Sequence, residues 1–125
     1  MVVSIGFGTA ELLTNIAKMA GSEIMRIYAT DFATEKKADK SPVTEADNVA
    51  EELIIRGIRE GVTSKWPIIA EEAVSRGEIP EINNAPFWLI DPLDGTKEFI
   101  NRNGEFTVNI ALIKNGKPIY AKNIN

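Results

Sequence analysis

Apolar residues recur at three- and four-residue spacing through the first part of the chain. Leu12, Leu13, Ile16, Ala17, Ala20, Ile24 and Ile27 form one stripe, and Glu11, Asn15, Lys18 and Glu23 fall between them. This period predicts an amphipathic helix over about Thr9 to Ala29. The lysine-rich stretch Thr30 to Lys40 has no period and is expected to be a mobile loop. A second helix is predicted over about Glu45 to Glu60, with Val49, Ala50, Leu53, Ile54 and Ile58 on its apolar face. Thr44, followed three residues later by Asp47 and preceded by Pro42, marks its start.

Beyond residue 65 the period shortens. Trp66-Pro67-Ile68-Ile69-Ala70 suits a short buried strand that ends abruptly in Glu71-Glu72. Residues Ala73 to Ala85 are polar and turn-rich, with Gly77 and Pro80. Phe87-Trp88-Leu89-Ile90 is a second buried strand, ending in Asp91-Pro92-Leu93-Asp94-Gly95-Thr96. A short turn or helix is expected around Lys97 to Ile100, and Glu105 to Ile113 alternates as a strand. Asn115-Gly116 is a strong hairpin signal. The return strand, starting at Pro118, is expected to be only a few residues long, leaving an open, partly apolar edge. On this pattern the chain reads as the front half of something longer, or as a domain that needs a partner.

Composition narrows the chemistry. The 125 residues suffice for one domain with a hydrophobic core. The formal charge of −4, with both signs interspersed, argues against a basic face for a nucleic-acid polymer. With no cysteine and no histidine, there is no thiolate or imidazole to ligate a metal or act as a base. Any bound metal must take oxygen ligands, which favours Mg²⁺, Ca²⁺ or Mn²⁺. Residues Met1 to Ala10 lack the basic start and long apolar core of a secretory signal, and no run is long and apolar enough to span a membrane. The expected location is the cytoplasm.

The carboxylates are the candidate chemistry. Asp91 and Asp94 are expected to project from one tight turn shaped by Pro92, with Gly95 allowing a close approach. Backbone N–H groups from Gly95 onward could hold an anion. The same residues alone equally describe a surface turn. Glu71 would reach the rim of Asp91 and Asp94 if the two short strands are neighbours, and converging carboxylates call for a cation. A solvated Glu71-Glu72 pair is the plainer reading. Asp47 suits a helix start and could also orient a hydroxyl. Lys40 is either a phosphate contact or a solvated loop lysine.

Ser-Pro-Val-Thr-Glu-Ala-Asp (41–47), Ile-Ile-Ala-Glu-Glu (68–72) and Trp-Leu-Ile-Asp-Pro-Leu-Asp-Gly-Thr (88–96) resemble, in order and spacing, the motifs of the inositol monophosphatase superfamily. Ala70 stands where glycine or serine is usual in that family. Gly-Thr-Lys-Glu-Phe-Ile (95–100) and Arg-Asn-Gly-Glu-Phe-Thr-Val-Asn-Ile-Ala-Leu-Ile (102–113) resemble its 3′(2′),5′-bisphosphate nucleotidase branch. Tyr120 to Asn125 departs from the family pattern.

The resemblance implies an α+β layered fold: two N-terminal helices packed on a mainly antiparallel sheet, with 1–125 as the N-terminal metal-binding domain. It implies metal ligation by Glu71, Asp91, the Leu93 carbonyl and Asp94. Asp47 and Thr96 would be the catalytic pair, with Gly95, Thr96 and Lys40 holding the phosphate. A complete site would carry two or three Mg²⁺ ions. The implied reaction is removal of the 3′-phosphate from adenosine 3′,5′-bisphosphate or its sulfated form; inositol or sugar monophosphate hydrolysis is the nearest alternative. The implied partners are a small phosphorylated substrate and, in a homodimer, a second copy of the chain. In the family a C-terminal half supplies a further ligating Asp. The chain alone is therefore expected to bind Mg²⁺ weakly and turn over little. A remnant that only folds and binds metal is the reading from another class, and a nucleotide-binding regulator leaves the carboxylates unexplained.

Overall fold

The structure, a computed structural model, describes residues 7–30, 34–36, 42–82, 86–94 and 106–124, with the backbone alone at 7, 34–36, 42–44, 94, 120 and 122–124. Helix α1 (Phe7–Tyr28) buries the expected stripe of Leu13, Ile16, Ala17, Ala20, Ile24 and Ile27. Leu12, on the flank of that stripe, is 45% exposed. Strand β1 (Thr34–Lys36) lies within the stretch expected to be a mobile loop, and pairs antiparallel with β2 (Pro42–Thr44). Three residues are too few to carry a readable period. Pro42 therefore belongs to a strand rather than to a lead-in.

Helix α2 (Glu45–Gly57) continues into one π-helical turn, Ile58–Val62. Its buried face is Ala46, Asp47, Ala50, Glu51 and Ile54, followed by Ile58, whereas Val49 and Leu53 are only partly buried against the core. Two acids thus lie on a stripe that the apolar positions alone do not reveal. Gly57 lets α2 approach α1 closely: a Cβ there would sit 3.0 Å from a side-chain carbon of Ile16.

Strand β3 (Ile68–Ala70) leads directly into helix α3 (Glu71–Ser75), within what pattern alone predicts to be strand end and turn. Strands β4 (Phe87–Asp94), β5 (Thr107–Lys114) and β6 (Lys117–Ile124) complete a sheet of order β3-β4-β5-β6. The β3–β4 pair is parallel and the other two pairs are antiparallel. One sheet face carries Trp88 and Ile90 from β4 opposite Leu112 and Ile110 from β5, all buried. Helix α2 packs on β4, and α1 packs on β5 and β6. Each such aliphatic side chain contributes about 1.5–3 kcal/mol on full burial.

The β5–β6 turn has φ of 53° at Asn115 and 74° at Gly116. Two successive positive φ values fit a type I′ hairpin, as the Asn-Gly pair predicts. The return arm is not short: β6 matches β5 in length and pairs with it from Lys117 to Ile124. Pro118 is accommodated where the register shifts between Leu112 and Ile113, so it does not shorten the arm.

Candidate functional site

The ends of two parallel strands set the site. Ile68, Ile69 and Ala70 pair with Trp88, Leu89 and Ile90. The Trp88 N–H donates to the Pro67 carbonyl at 2.9 Å and continues the ladder at its near end. The residues that follow the last pair, Glu71 and Asp91, are thereby brought level where β3 ends beside the middle of β4. Crevices beyond the carboxyl ends of parallel strands are where α/β sheets take ligands. The neighbouring strands that the sequence reading required are present.

Asp91 and Asp94 do not leave a strand through a tight turn, as expected; β4 runs through both. Asp91 pairs with Asn109 and Asp94 with Thr107, so three residues of β4 span what two residues of β5 span. The extra residue is a β-bulge, and Pro92 lies within it, where its missing N–H removes nothing from a regular ladder. Because Asn109 and Thr107 are two apart on β5, the bulge returns position 94 to the ladder phase of position 91. Leu93 is buried between them and Asp91 is half-buried. The turn chemistry of Asp-Pro and Asp-Gly is used to bend a strand.

The Glu71-Glu72 pair splits. Glu71 is exposed, while Glu72 is only 1% exposed. Solvation of both is thus excluded. They are the first two residues of α3, where successive side chains diverge by about 100°. Asp47 is fully buried in the first turn of α2.

Glu51, which sequence reasoning passed over, lies one turn beyond Asp47 and is 2% exposed. It accepts the Glu72 N–H at 2.8 Å and the Ala73 N–H at 3.0 Å, one on each carboxylate oxygen. Arg76 approaches it at 3.7 Å. Burial pushes the Glu51 carboxyl above its usual range; the hydrogen bond from Glu72, the charge of Arg76 and the Ala73 bond oppose this, and the charge of Glu71 adds to it. The signal in the sequence was its position, four residues after Asp47 and flanked by Ala50 and Ile54.

Lys40, Gly95 and Thr96, and the turn or helix expected at 97–100, lie outside the described residues. Among the described residues no group of three acids is gathered to hold a cation. Asp94, described through its backbone, is the remaining acid of the expected ligand set. The donors present are carboxylate and carbonyl oxygen, which suit a hard divalent cation such as Mg²⁺. No helix among the described residues is long and apolar enough to cross a membrane.

The chain resembles known proteins in sequence and in fold. Residues 9–121 match the model of the inositol monophosphatase family. The 3′(2′),5′-bisphosphate nucleotidase CysQ of Salmonella typhimurium is 47% identical over 111 residues, covering 87% of this chain and 44% of that protein. The CysQ of Escherichia coli K12 is 49% identical over 106 residues, covering 83% of this chain and 42% of that protein. The chain thus spans less than half the length of these relatives. Among solved structures, the extragenic suppressor protein suhB of Bartonella henselae superposes with a TM-score of 0.80 at 26% identity, covering 94% of this chain and 45% of its own. CysQ of Bacteroides thetaiotaomicron gives 0.68 at 40% identity, covering 93% and 41%. With the family motifs in register and the helices and mixed sheet of its fold in place, this chain belongs to the inositol monophosphatase family.

Proposed function

We propose that this chain is the metal-binding portion of a Mg²⁺-dependent phosphomonoesterase that removes the 3′-phosphate from adenosine 3′,5′-bisphosphate or its sulfated form. The observation that carries the reading is the parallel β3–β4 register, which sets Glu71 level with Asp91 at the end where the bulge rephases position 94. Glu71, Asp91, the Leu93 carbonyl and Asp94 are the proposed ligands. When bound, Mg²⁺ supplies activation of the attacking water and charge neutralisation at the phosphate. Asp47, buried at the start of α2, is proposed to accept the Thr96 hydroxyl hydrogen bond and so orient that hydroxyl. Backbone N–H groups of Gly95 and Thr96, with Lys40, would hold the phosphate oxygens. Identity of 47–49% to proteins named 3′(2′),5′-bisphosphate nucleotidase supports a nucleotide substrate.

The test is phosphate release by the purified chain from adenosine 3′,5′-bisphosphate, with inositol 1-phosphate alongside, each with and without Mg²⁺. Mg²⁺-dependent release from the nucleotide is expected, at a low rate because the chain spans under half of its relatives. Preferential release from inositol 1-phosphate would replace the substrate assignment. No release from either substrate by a folded, metal-loaded chain would reduce the reading to metal binding alone.

A further inference from the structure

Glu71 projects from the first residue of a helix only five residues long, and that helix has no local cap at its start. Ala70 stands at the N-cap with φ −120° and ψ 137°, and has no side-chain oxygen to offer the first free N–H groups. Alanine there lacks the side-chain acceptor that serine or aspartate would supply. The far end is closed by Gly77 at φ 83°, where the Gly77 N–H donates to the Val74 carbonyl and the Glu78 N–H to the Ala73 carbonyl, both at 2.9 Å. This is a Schellman motif, so one end of α3 is secured by its own residues. The other end is secured from 21 residues away, by the two Glu51 hydrogen bonds at 2.8 and 3.0 Å.

We infer that Glu51 is a positioning residue for Glu71: from the buried face of α2 it caps α3 and holds the Glu71 backbone at the height of Asp91. The inference rests on the proposed role of Glu71 as a metal ligand. The Glu51 carboxylate is turned inward, both oxygens are engaged by α3 N–H groups, and Arg76, the cation near it, comes from the end of the same helix. A carboxylate kept in the core to bind solvent-facing partners would not be spent on two backbone donors. Outer-sphere groups that orient metal ligands typically change affinity by about 10–100-fold when removed.

The experiment measures Mn²⁺ binding to the purified full chain by loss of the free-ion EPR signal, with circular dichroism to monitor folding. The chains compared are the unaltered protein, Glu51→Gln, Glu71→Gln, the double variant, and Glu51→Gln combined with Ala70→Ser. Glu51→Gln is expected to weaken Mn²⁺ binding by about tenfold, because its amide N–H₂ opposes one of the two donors. In the Glu71→Gln background the same change is expected to cost less than about twofold, since the residue it positions is gone. Ala70→Ser, which supplies a local cap, is expected to restore most of the loss. Unchanged binding in Glu51→Gln, equal losses in both backgrounds, or no rescue by serine would each overturn the inference. Absence of Mn²⁺ binding in the unaltered chain is a separate result, and it would sink the metal-site reading itself. Should Glu51→Gln fail to fold, Glu51→Asp takes its place with the same expectations; unfolding of both would make Glu51 a general stability element and overturn the positioning role.

Discussion

Replacing Gly57 with alanine sets two effects of similar size against each other. Gly57 has φ −60° and ψ −41°, an ordinary helical conformation that alanine adopts without strain. Intrinsic propensity therefore favours alanine by about 1 kcal/mol. Against this, the new Cβ would lie 3.0, 3.1 and 3.2 Å from three side-chain carbons of Ile16, inside the contact distance of about 3.5–4.0 Å. Ile16 is only 8% exposed, and its β-branched side chain has one strongly preferred rotamer in a helix. It cannot swing aside, so the overlap must be relieved by moving α1 from α2, at an overpacking cost of about 1–3 kcal/mol. The net expectation is a loss of about 1 kcal/mol. Urea unfolding followed by tryptophan fluorescence will read it, since Trp66 and Trp88 lie 6.3 Å apart in the core region and report on the same transition. The same substitution in an Ile16→Ala chain should reverse sign and stabilise by about 1 kcal/mol, because all three close contacts are gone. Ile16→Ala alone costs about 2–5 kcal/mol, so each alanine variant is compared with its own parent. The same sign in both backgrounds would refute the reasoning, as would stabilisation in the unaltered one.

Asp91→Asn should weaken Mn²⁺ binding more than Asp47→Asn, because Asp47 is proposed to orient a hydroxyl rather than to ligate; equal losses in a titration would count against both roles. Gly116→Ala should destabilise the chain by about 1–2 kcal/mol, the cost of placing an L side chain at φ 74°, read as a shift in urea midpoint. Glu51 gives a pH dependence whose sign follows from its raised pKa. The folded state holds the Glu51 proton more tightly than the unfolded state does, so the associated stability is full below the ordinary carboxylate pKa and is lost as pH rises through the folded value. The stability of the metal-free chain relative to its Glu51→Gln variant should therefore fall as pH rises above the ordinary carboxylate range, and urea midpoints in acid and at neutral pH will check it. A gap that widens toward neutral pH would reverse the assignment of burial as the dominant cause.

What could be read in advance depended on whether a residue's partner was local. The α1 stripe and the Asn115-Gly116 turn were legible because each is specified by neighbours within one turn. Asp91 to Asp94 were not, because Asp-Pro and Asp-Gly signal a turn unless a partner strand supplies a ladder, and β5 is more than a dozen residues further on. Strand β6 reads as shorter than it is for a different reason: Pro118 argues against a strand unless the register shifts beside it, and side-chain types do not record that shift. Glu51 was missed because its hydrogen-bond partners are backbone groups of Glu72 and Ala73, and no pattern of side-chain types records a backbone donor. Glu71 and Glu72 are identical as residues, and only the start of α3 between strand and turn sends one outward and one inward.

The three-residue β3 has a single strand partner among the described residues, on the edge of the sheet. An edge element this short is the first place where a sheet opens locally, without loss of the β5–β6 hairpin behind it. Yet it is the element that brings Glu71 to Asp91. Any cation shared by those two carboxylates would therefore act as a staple, populating the docked state of β3 in proportion to how tightly it is held. If Glu71 and Asp91 share a cation as proposed, occupancy of the site and closure of the sheet's edge would become one equilibrium, and cation concentration would set how often the edge is exposed to solvent and to proteases.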